Sequence, residues 1–354
     1  MEQRISAKII LADGTTFTGW SFGAPQSTDG EVVFATGMTG YPEAFTDPSF
    51  RGQILVMTYP LVGNYGVSDG PFESDRVQIQ GLIVQEYSAE YSHQEAVYSL
   101  SQWLTREGVP AVYGVDTRAL TKKLREHGVM LGQIVIGSDT PKEAHALEDP
   151  NIRNLVDEVS IVEPVLIGSG RKKIIAVDCG MKENIIRCLQ KRGVTIKRVP
   201  WNYNYLHEEW DGLFLSNGPG DPMMLQETIG YLREAMKGKK PIFGICLGSQ
   251  LMGLAAGAQT YKLKYGHRSQ NQPCREVGTQ RCYLTTQNHG FAVDEKTIPK
   301  DWKLWFVNAN DGTTEGIRHT KKPFFSVQFH PESTPGPEDT EFLFDYFIDK
   351  VNRI

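Results

Sequence analysis

Over the first 150 residues, short runs of alternating apolar and polar positions dominate, the period of half-buried strands. In "KIILADGTTFTGW" two such runs flank Asp13-Gly14, a hairpin signal. Further strands are predicted at "GEVVFAT", "GQILVMTYP" and "RVQIQGLIVQEY". Helical spacing appears twice: from about Gln94 to Glu107, stopped by Gly108, and after Asp116, where Leu120 and Leu124 lie four apart and Gly128 ends the run. This half reads as a mixed α/β domain. Between Asp149 and Arg171 the pattern weakens, and "EPVLIGSGRKK" gathers Pro164, Gly168 and Gly170 as a linker does. The expected division is a domain over 1–150, a linker over 151–171 and a second domain over 172–354. No fixed-period repeat is present.

The second half changes rhythm. Strand "KKIIAVD", helix "ENIIRCLQKRG", strands "TIKRVP" and "DGLFLS", a helix from about Met223 to Lys237 and strand "PIFGI" follow in turn. Such alternation implies a parallel, doubly wound sheet, in which ligands bind beyond the carboxyl ends of the strands. "SNGPGDP" and Cys246 both fall there. "PFFSVQF" is a later strand, and Leu343, Phe347 and Val351 mark a terminal helix.

Composition adds few surprises. At 354 residues, 40% hydrophobic and 22% charged, the chain is long enough for two cores and has no disordered tract. A net charge of -5 argues against a general nucleic-acid binder. No run reaches membrane-spanning length, and the opening segment lacks a signal-peptide core, so the cytoplasm is expected. Five cysteines with no CxxC pair fit reduced thiols rather than disulfides or zinc, and no metal is expected in this chain.

One cysteine has an unusual setting. Cys246 stands between Gly244 and Gly248 where strand "PIFGI" gives way to helix "LGSQLMGLAAG". The helix end favours a thiolate, and the glycines permit a sharp corner, which together mark a nucleophile. A nucleophile needs a base and the base an orienting group. "VQFHPES" offers His330 and, two positions on along extended chain, Glu332. His289 in "QNHGF" is the main competing base. "SNGPGDP" could present backbone N–H groups to an oxyanion, but it lacks the GK[ST] of a phosphate loop, and no ATP site is evident.

With these residues in place, G-x-C-x-G-x-Q (Gly244, Cys246, Gly248, Gln250) and H-P-E resemble the class I glutamine amidotransferases, which use a Cys-His-Glu triad. The stretches "GEVVFATGMTGYPEAFTDPSFRGQILVMTYPLVGNYG", "VDTRALTKKLREHG", "LSNGPGDP", "TTQNHGFAVD" and "HPESTPGP" narrow this to the carbamoyl phosphate synthase small-chain family. The resemblance covers nearly the whole chain. It implies a swivelling β/β/α domain followed by a flavodoxin-like amidotransferase domain. Cys246 would be nucleophile, His330 base and then acid, and Glu332 its orienter. Glutamine would be held by Ser49, Gly218, Gly220, Leu247, Gln250, Asn288, Gly290 and Phe291, with Ser49 coming from the first half.

The family pattern is commonly "CLGHQ", and this chain has Ser249 instead. The implied activity is glutamine hydrolysis to glutamate and ammonia through a cysteine thioester, serving arginine or pyrimidine biosynthesis. The implied partner is a large synthetase chain that binds bicarbonate, ATP and Mg2+ or another divalent metal; because this chain closes soon after its terminal helix, a separate chain in a heterodimer or higher assembly is expected. On the residues alone three other readings stay open: an amidotransferase feeding a different synthetase, a cysteine hydrolase working alone, and an inactive scaffold. The first half argues against the first, and the intact Cys246, His330 and Glu332 against the last.

Overall fold

The computed structural model describes residues 4–353. The chain divides into two compact units, one up to Arg153 and the other from Asn154.

The first unit is a closed seven-stranded barrel. Its strands run, around the barrel, Ser6–Leu11, Thr16–Ser21, Ala111–Tyr113, Gly81–Ile83, Gln53–Met57, Thr28–Ala35 and Met130–Ile136, the last pairing back onto the first. The expected hairpin forms at Asp13-Gly14, with Gly14 at φ +85 and the Thr15 N–H donating to Asp13 Oδ1. Helix Thr117–His127 starts where the Asp116 carboxylate accepts the Ala119 N–H and stops at Gly128, φ +98. The helix expected from Gln94 starts later, at Leu100, because Ser99 and Gln102 form a reciprocal capping box and Val97 and Tyr98 are engaged with the backbone of Val67. The long strand expected over 76–87 is two short ones, since Glu86–Tyr87 turns away to pair with Leu61–Val62.

The second unit is built on a ten-stranded sheet. Its parallel part has the spatial order Thr195–Pro200, Lys173–Asp178, Gly212–Leu215, Ile242–Ile245, Phe324–Val327. Taken in chain order this is the flavodoxin-like arrangement, in which the second strand lies outside the first. Both faces are covered, so successive residues go to opposite cores: Ile174 and Ala176 pack with Phe214, Phe243 and Phe347, while Ile175 and Val177 pack with Leu213, Ile242 and Leu251. Beyond Phe324–Val327 the sheet continues antiparallel through Thr314–His319, Trp302–Asn308, Thr260–Glu276 and Cys282–Val293. Residues after 153 that read as linker are built into this unit. Leu155 and Val156 are buried in a 3-10 turn, and Val165–Ile167 is an edge strand against Thr195–Pro200. The helix expected from Met223 to Lys237 is a 3-10 turn, Pro222–Met224, followed by helix Gln226–Ala235. Helix Phe342–Asn352 closes one face by setting Phe344 and Phe347 against Phe214. Among the described residues, no helix is long and apolar enough to cross a membrane.

Candidate active site

Of the five loops that leave the carboxyl ends of the parallel strands, four matter here: those after Asp178, Leu215, Ile245 and Val327. Their residues make up most of the candidate site. Cys246 is the hinge between strand Ile242–Ile245 and helix Leu247–Ala256, held at φ +53, ψ −106, a conformation costly for a residue with a Cβ. Surrounding contacts impose it. The Cys246 N–H donates to Val327 O at 2.9 Å, and the Gly248 N–H to Ser216 O at 3.0 Å. A Cβ on Gly244 would stand 2.5 Å from Gly248 O, and one on Gly248 only 2.4 Å from Leu215 O, so neither glycine can be replaced without moving backbone. The thiol is buried, with Sγ 3.7 Å from Asn288 O.

His330 follows strand Phe324–Val327, its N–H donating to Thr286 O at 2.9 Å. Its Nδ1 is 2.6 Å from Glu332 Oε1, and both side chains are buried. Nε2 makes no hydrogen bond of ordinary geometry among the described residues, and the Cys246 sulfur acts on the ring together with Glu332. Burial alone would depress the imidazolium, but the Glu332 carboxylate and the Cys246 sulfur outweigh it and hold His330 well above the ordinary histidine range. Glu332 moves the other way. Burial pushes its carboxyl up, and the ammonium of Lys182 followed by His330 carries it down to about 2.

Lys182 is the residue that the sequence reading missed. Its Nζ lies 3.2 Å from Glu332 Oε1 and also donates to Ser333 O, on a side chain almost wholly buried. Asp178 prepares this by accepting the N–H groups of Gly180 and Met181, which turns the chain at the strand end toward Lys182. Asn184 adds a bond from Nδ2 to Glu332 O. The signal was position: "CGMKEN" leaves the first strand of a doubly wound sheet, where ligand-facing loops belong.

Other expected residues gather in the same unit. Gly218 runs so close to Cys179 O that a Cβ would meet it at 1.8 Å, and Gly220 sits at φ +82. The Gly218 and Leu247 N–H groups donate to no described group, whereas those of Ser249 and Gln250 both reach Cys246 O. Gln250 spends Nε2 on Phe291 O and Gln328 Oε1, leaving Oε1 buried without a partner among the described residues. Asn288, Gly290 and Phe291 lie on strand Cys282–Val293, near the sulfur through Asn288 O. Ser249 bonds Ser326 Oγ at 2.8 Å, pinning the helix start to the adjacent strand. His289, the competing base, has other partners: Nδ1 meets Phe291 O and Nε2 meets Gln287 Oε1. Burial and then the neighbouring His267 hold it well below the usual range, hence neutral. Ser49 belongs to the first unit, buried in the turn Pro48–Phe50, where its N–H donates to Asp47 Oδ1.

The family profile described as "Glutamine amidotransferase class-I" matches residues 175–350, and that of "Carbamoyl-phosphate synthase small chain, CPSase domain" matches 9–134. The chain is 53% identical to "Multifunctional protein URA2" of Saccharomyces cerevisiae, over 97% of this chain and 17% of that protein. It is 53% identical to "Multifunctional protein CAD" of Squalus acanthias, over 97% of this chain and 16% of that one. With "Carbamoyl phosphate synthase arginine-specific small chain" of Saccharomyces cerevisiae it shares 48% identity, over 98% of this chain and 89% of that one. The chain thus spans well under a quarter of the multifunctional relatives and nearly all of the small-chain relative.

Proposed function

The chain belongs to the carbamoyl-phosphate synthase small-chain family and carries a class I glutamine amidotransferase domain, and from that membership we propose that it hydrolyses glutamine and delivers the ammonia to a large synthetase chain. One observation carries the reading: a thiol on a strained strand-to-helix corner, beside an imidazole whose far nitrogen is bound to a buried carboxylate. An isolated buried cysteine needs none of this.

In the proposed reaction the Cys246 thiolate attacks the side-chain amide carbon of glutamine, and the electron pair of the C=O bond moves onto oxygen. The Gly218 and Leu247 N–H groups are free to receive that oxyanion. His330 protonates the departing nitrogen, the C–N bond breaks, and ammonia leaves a γ-glutamyl thioester. Water then attacks the thioester carbon as His330 takes its proton, the C–S bond breaks with its electron pair going to sulfur, and the Cys246 thiolate is regenerated as glutamate forms. Glu332 keeps the ring oriented and its charge compensated; Lys182 does the same for Glu332.

Gln250 Oε1 is an acceptor suited to the substrate's ammonium group, and Gly220, Asn288, Gly290 and Phe291 complete the glutamine contacts in this unit. Ser49 is assigned to glutamine on the family pattern alone. ATP, bicarbonate and a divalent metal ion are assigned to the large chain, and the product to arginine or pyrimidine biosynthesis. Four of the five cysteines are buried and all are free, which fits a reducing compartment, and we place the reaction in the cytoplasm.

The test is Cys246→Ala assembled with the large chain, assayed for carbamoyl phosphate with glutamine and separately with ammonium salts. Glutamine-dependent synthesis should vanish, while ammonia-dependent synthesis persists. Loss of both in a complex that still assembles overturns the ammonia-donor reading.

A further inference from the structure

A second cluster in the amidotransferase unit is left unexplained by glutamine hydrolysis. His267 and His289 face each other directly across the antiparallel pair of strands Thr260–Glu276 and Cys282–Val293, with ring centroids 4.9 Å apart. Glu315, at the start of Thr314–His319, lies fully buried beside both. Its Oε1 is 3.4 Å from His267 Nδ1 and 3.8 Å from His289 Nε2, and one donor atom from each of the three residues lies within 4.8 Å of the others.

The opposite side of each ring is already committed. His267 Nε2 is 2.9 Å from Asp311 Oδ2, and His289 Nδ1 is 2.8 Å from Phe291 O. Both partners are acceptors, so in neutral rings the protons sit on those nitrogens and the lone pairs of His267 Nδ1 and His289 Nε2 point toward Glu315. Gln287 Oε1 is also 3.2 Å from His289 Nε2, and its amide is oriented that way because Nε2 is spent on Cys274 Sγ and Thr285 Oγ1. The centre therefore collects lone pairs. Against them, while both rings are neutral, stands one donor among the described residues, Asn308 Nδ2, at 3.5 Å from Glu315 Oε1. His267 Nδ1 and Glu315 Oε2, both on side chains more than nine-tenths buried, have no hydrogen-bond partner among the described residues.

A buried acceptor without a donor is costly, so the centre takes either a protonated His267 or a cation in place of that proton. With Glu315 ionised on the metal, its charge and that of Asp311 are cancelled by one divalent ion while both rings stay neutral. We propose that this cluster is a site for a divalent transition metal of the zinc class, held by His267 Nδ1, His289 Nε2 and the Glu315 carboxylate, with Gln287 Oε1 available as a fourth ligand. A tetrahedral ion with ligands at about 2.0–2.2 Å sets their atoms roughly 3.3–3.6 Å apart, near the 3.4 and 3.8 Å that already separate Glu315 Oε1 from the two ring nitrogens. The outer partners fit as well: ligating histidines normally give their second N–H to a carboxylate or a backbone carbonyl, as Asp311 and Phe291 accept here. Such an ion would tie three strands together directly beneath Asn288 and Gly290, and its role would be to fix that segment.

The experiment uses the full chain, stripped with a chelator and dialysed, then titrated with Zn2+ alone and with Co2+ as a spectroscopic probe. One equivalent per chain is expected, with the visible absorption of four-coordinate Co2+ and a rise in Tm. Affinity should fall at least about 10-fold in His267→Ala and in the near-isosteric Glu315→Gln, and should survive in Cys246→Ser. Absence of stoichiometric binding by the unmutated chain overturns the proposal and leaves an imidazolium held between two carboxylates. Binding that is lost in Cys246→Ser and kept in His267→Ala overturns it too, because the ion then sits on the thiol. These readouts are of metal, so a failure of the glutamine reading leaves them intact.

Discussion

Glu332 shows how much a single carboxylate depends on its neighbours. It is buried, yet its carboxyl is carried down to about 2, with the Lys182 ammonium the largest influence opposing burial and His330 the next. The sign follows from the two end states. An unfolded glutamate titrates near 4.3, so the native chain gains stability from this ionisation above that pH and loses it as pH falls toward about 2. Lys182→Met removes the largest opposing influence, so the native carboxyl titrates higher and the loss begins at a higher pH. At neutral pH the variant should be destabilised by about 3–5 kcal/mol, the usual cost of stripping one partner from a buried pair. Adding Glu332→Gln removes the stranded charge and should restore part of that loss. Urea midpoints across the acid range, followed by tryptophan fluorescence, check this. If the two substitutions add independently and the acid limb stays in place, Lys182 is not what holds the carboxylate down.

At the scale of elements, the strand-to-helix corner owes its shape to two glycines, which yields a contrast within one unit. A Cβ at Gly248 would meet Leu215 O at 2.4 Å, a backbone atom that can move only with its strand, while a Cβ at Gly230, inside helix Gln226–Ala235, meets nothing within 4 Å. Gly230→Ala should stabilise the chain by about 0.5–1 kcal/mol through helix propensity and leave glutamine turnover unchanged. Gly248→Ala should cost stability and most of the turnover, by displacing the helix end from the sulfur. Denaturation midpoints and a glutaminase assay read both, and equal tolerance of the two changes would mean that the corner is not rigid. The corner was legible in the sequence because glycines bracketed a cysteine just after an apolar strand. The helix placed from Gln94 was not, since Ala96, Val97, Leu100, Trp103 and Leu104 mimic helical spacing while Val97 and Tyr98 are held by the backbone of Val67. A local pattern could not see that long-range pairing.

Across the whole molecule, what sequence hides is which distant residues meet. His330 and Glu332 could be paired because i and i+2 share a side of extended chain, and the amidotransferase pattern joined them to Cys246. Nothing comparable linked His267, His289 and Glu315, whose separations of 22 (289 − 267) and 26 (315 − 289) match no metal-ligand spacing. Their meeting depends on strand register, which shifts between Lys262 and His267 and so decides which residue faces His289. The division into units invites a last test. Each has its own core: the barrel is closed and has no free edge. The sheet of the second unit is covered on both faces, and one of its two outer strands, Val165–Ile167, is only three residues long, a poor template for pairing with other chains. A fragment from Asn154 to Ile354 should therefore fold alone, with native-like circular dichroism and one cooperative urea transition. A cut at 171/172, where the linker was expected to end, should do worse, because it discards Leu155, Val156 and the edge strand and uncovers the partner strand Thr195–Pro200. Both fragments are compared by urea transition and by binding of the dye ANS, which reports exposed apolar surface. Dye binding and a broad transition in the longer fragment would mean that the second core is incomplete by itself; equal behaviour of the two would mean that residues 154–171 are linker after all.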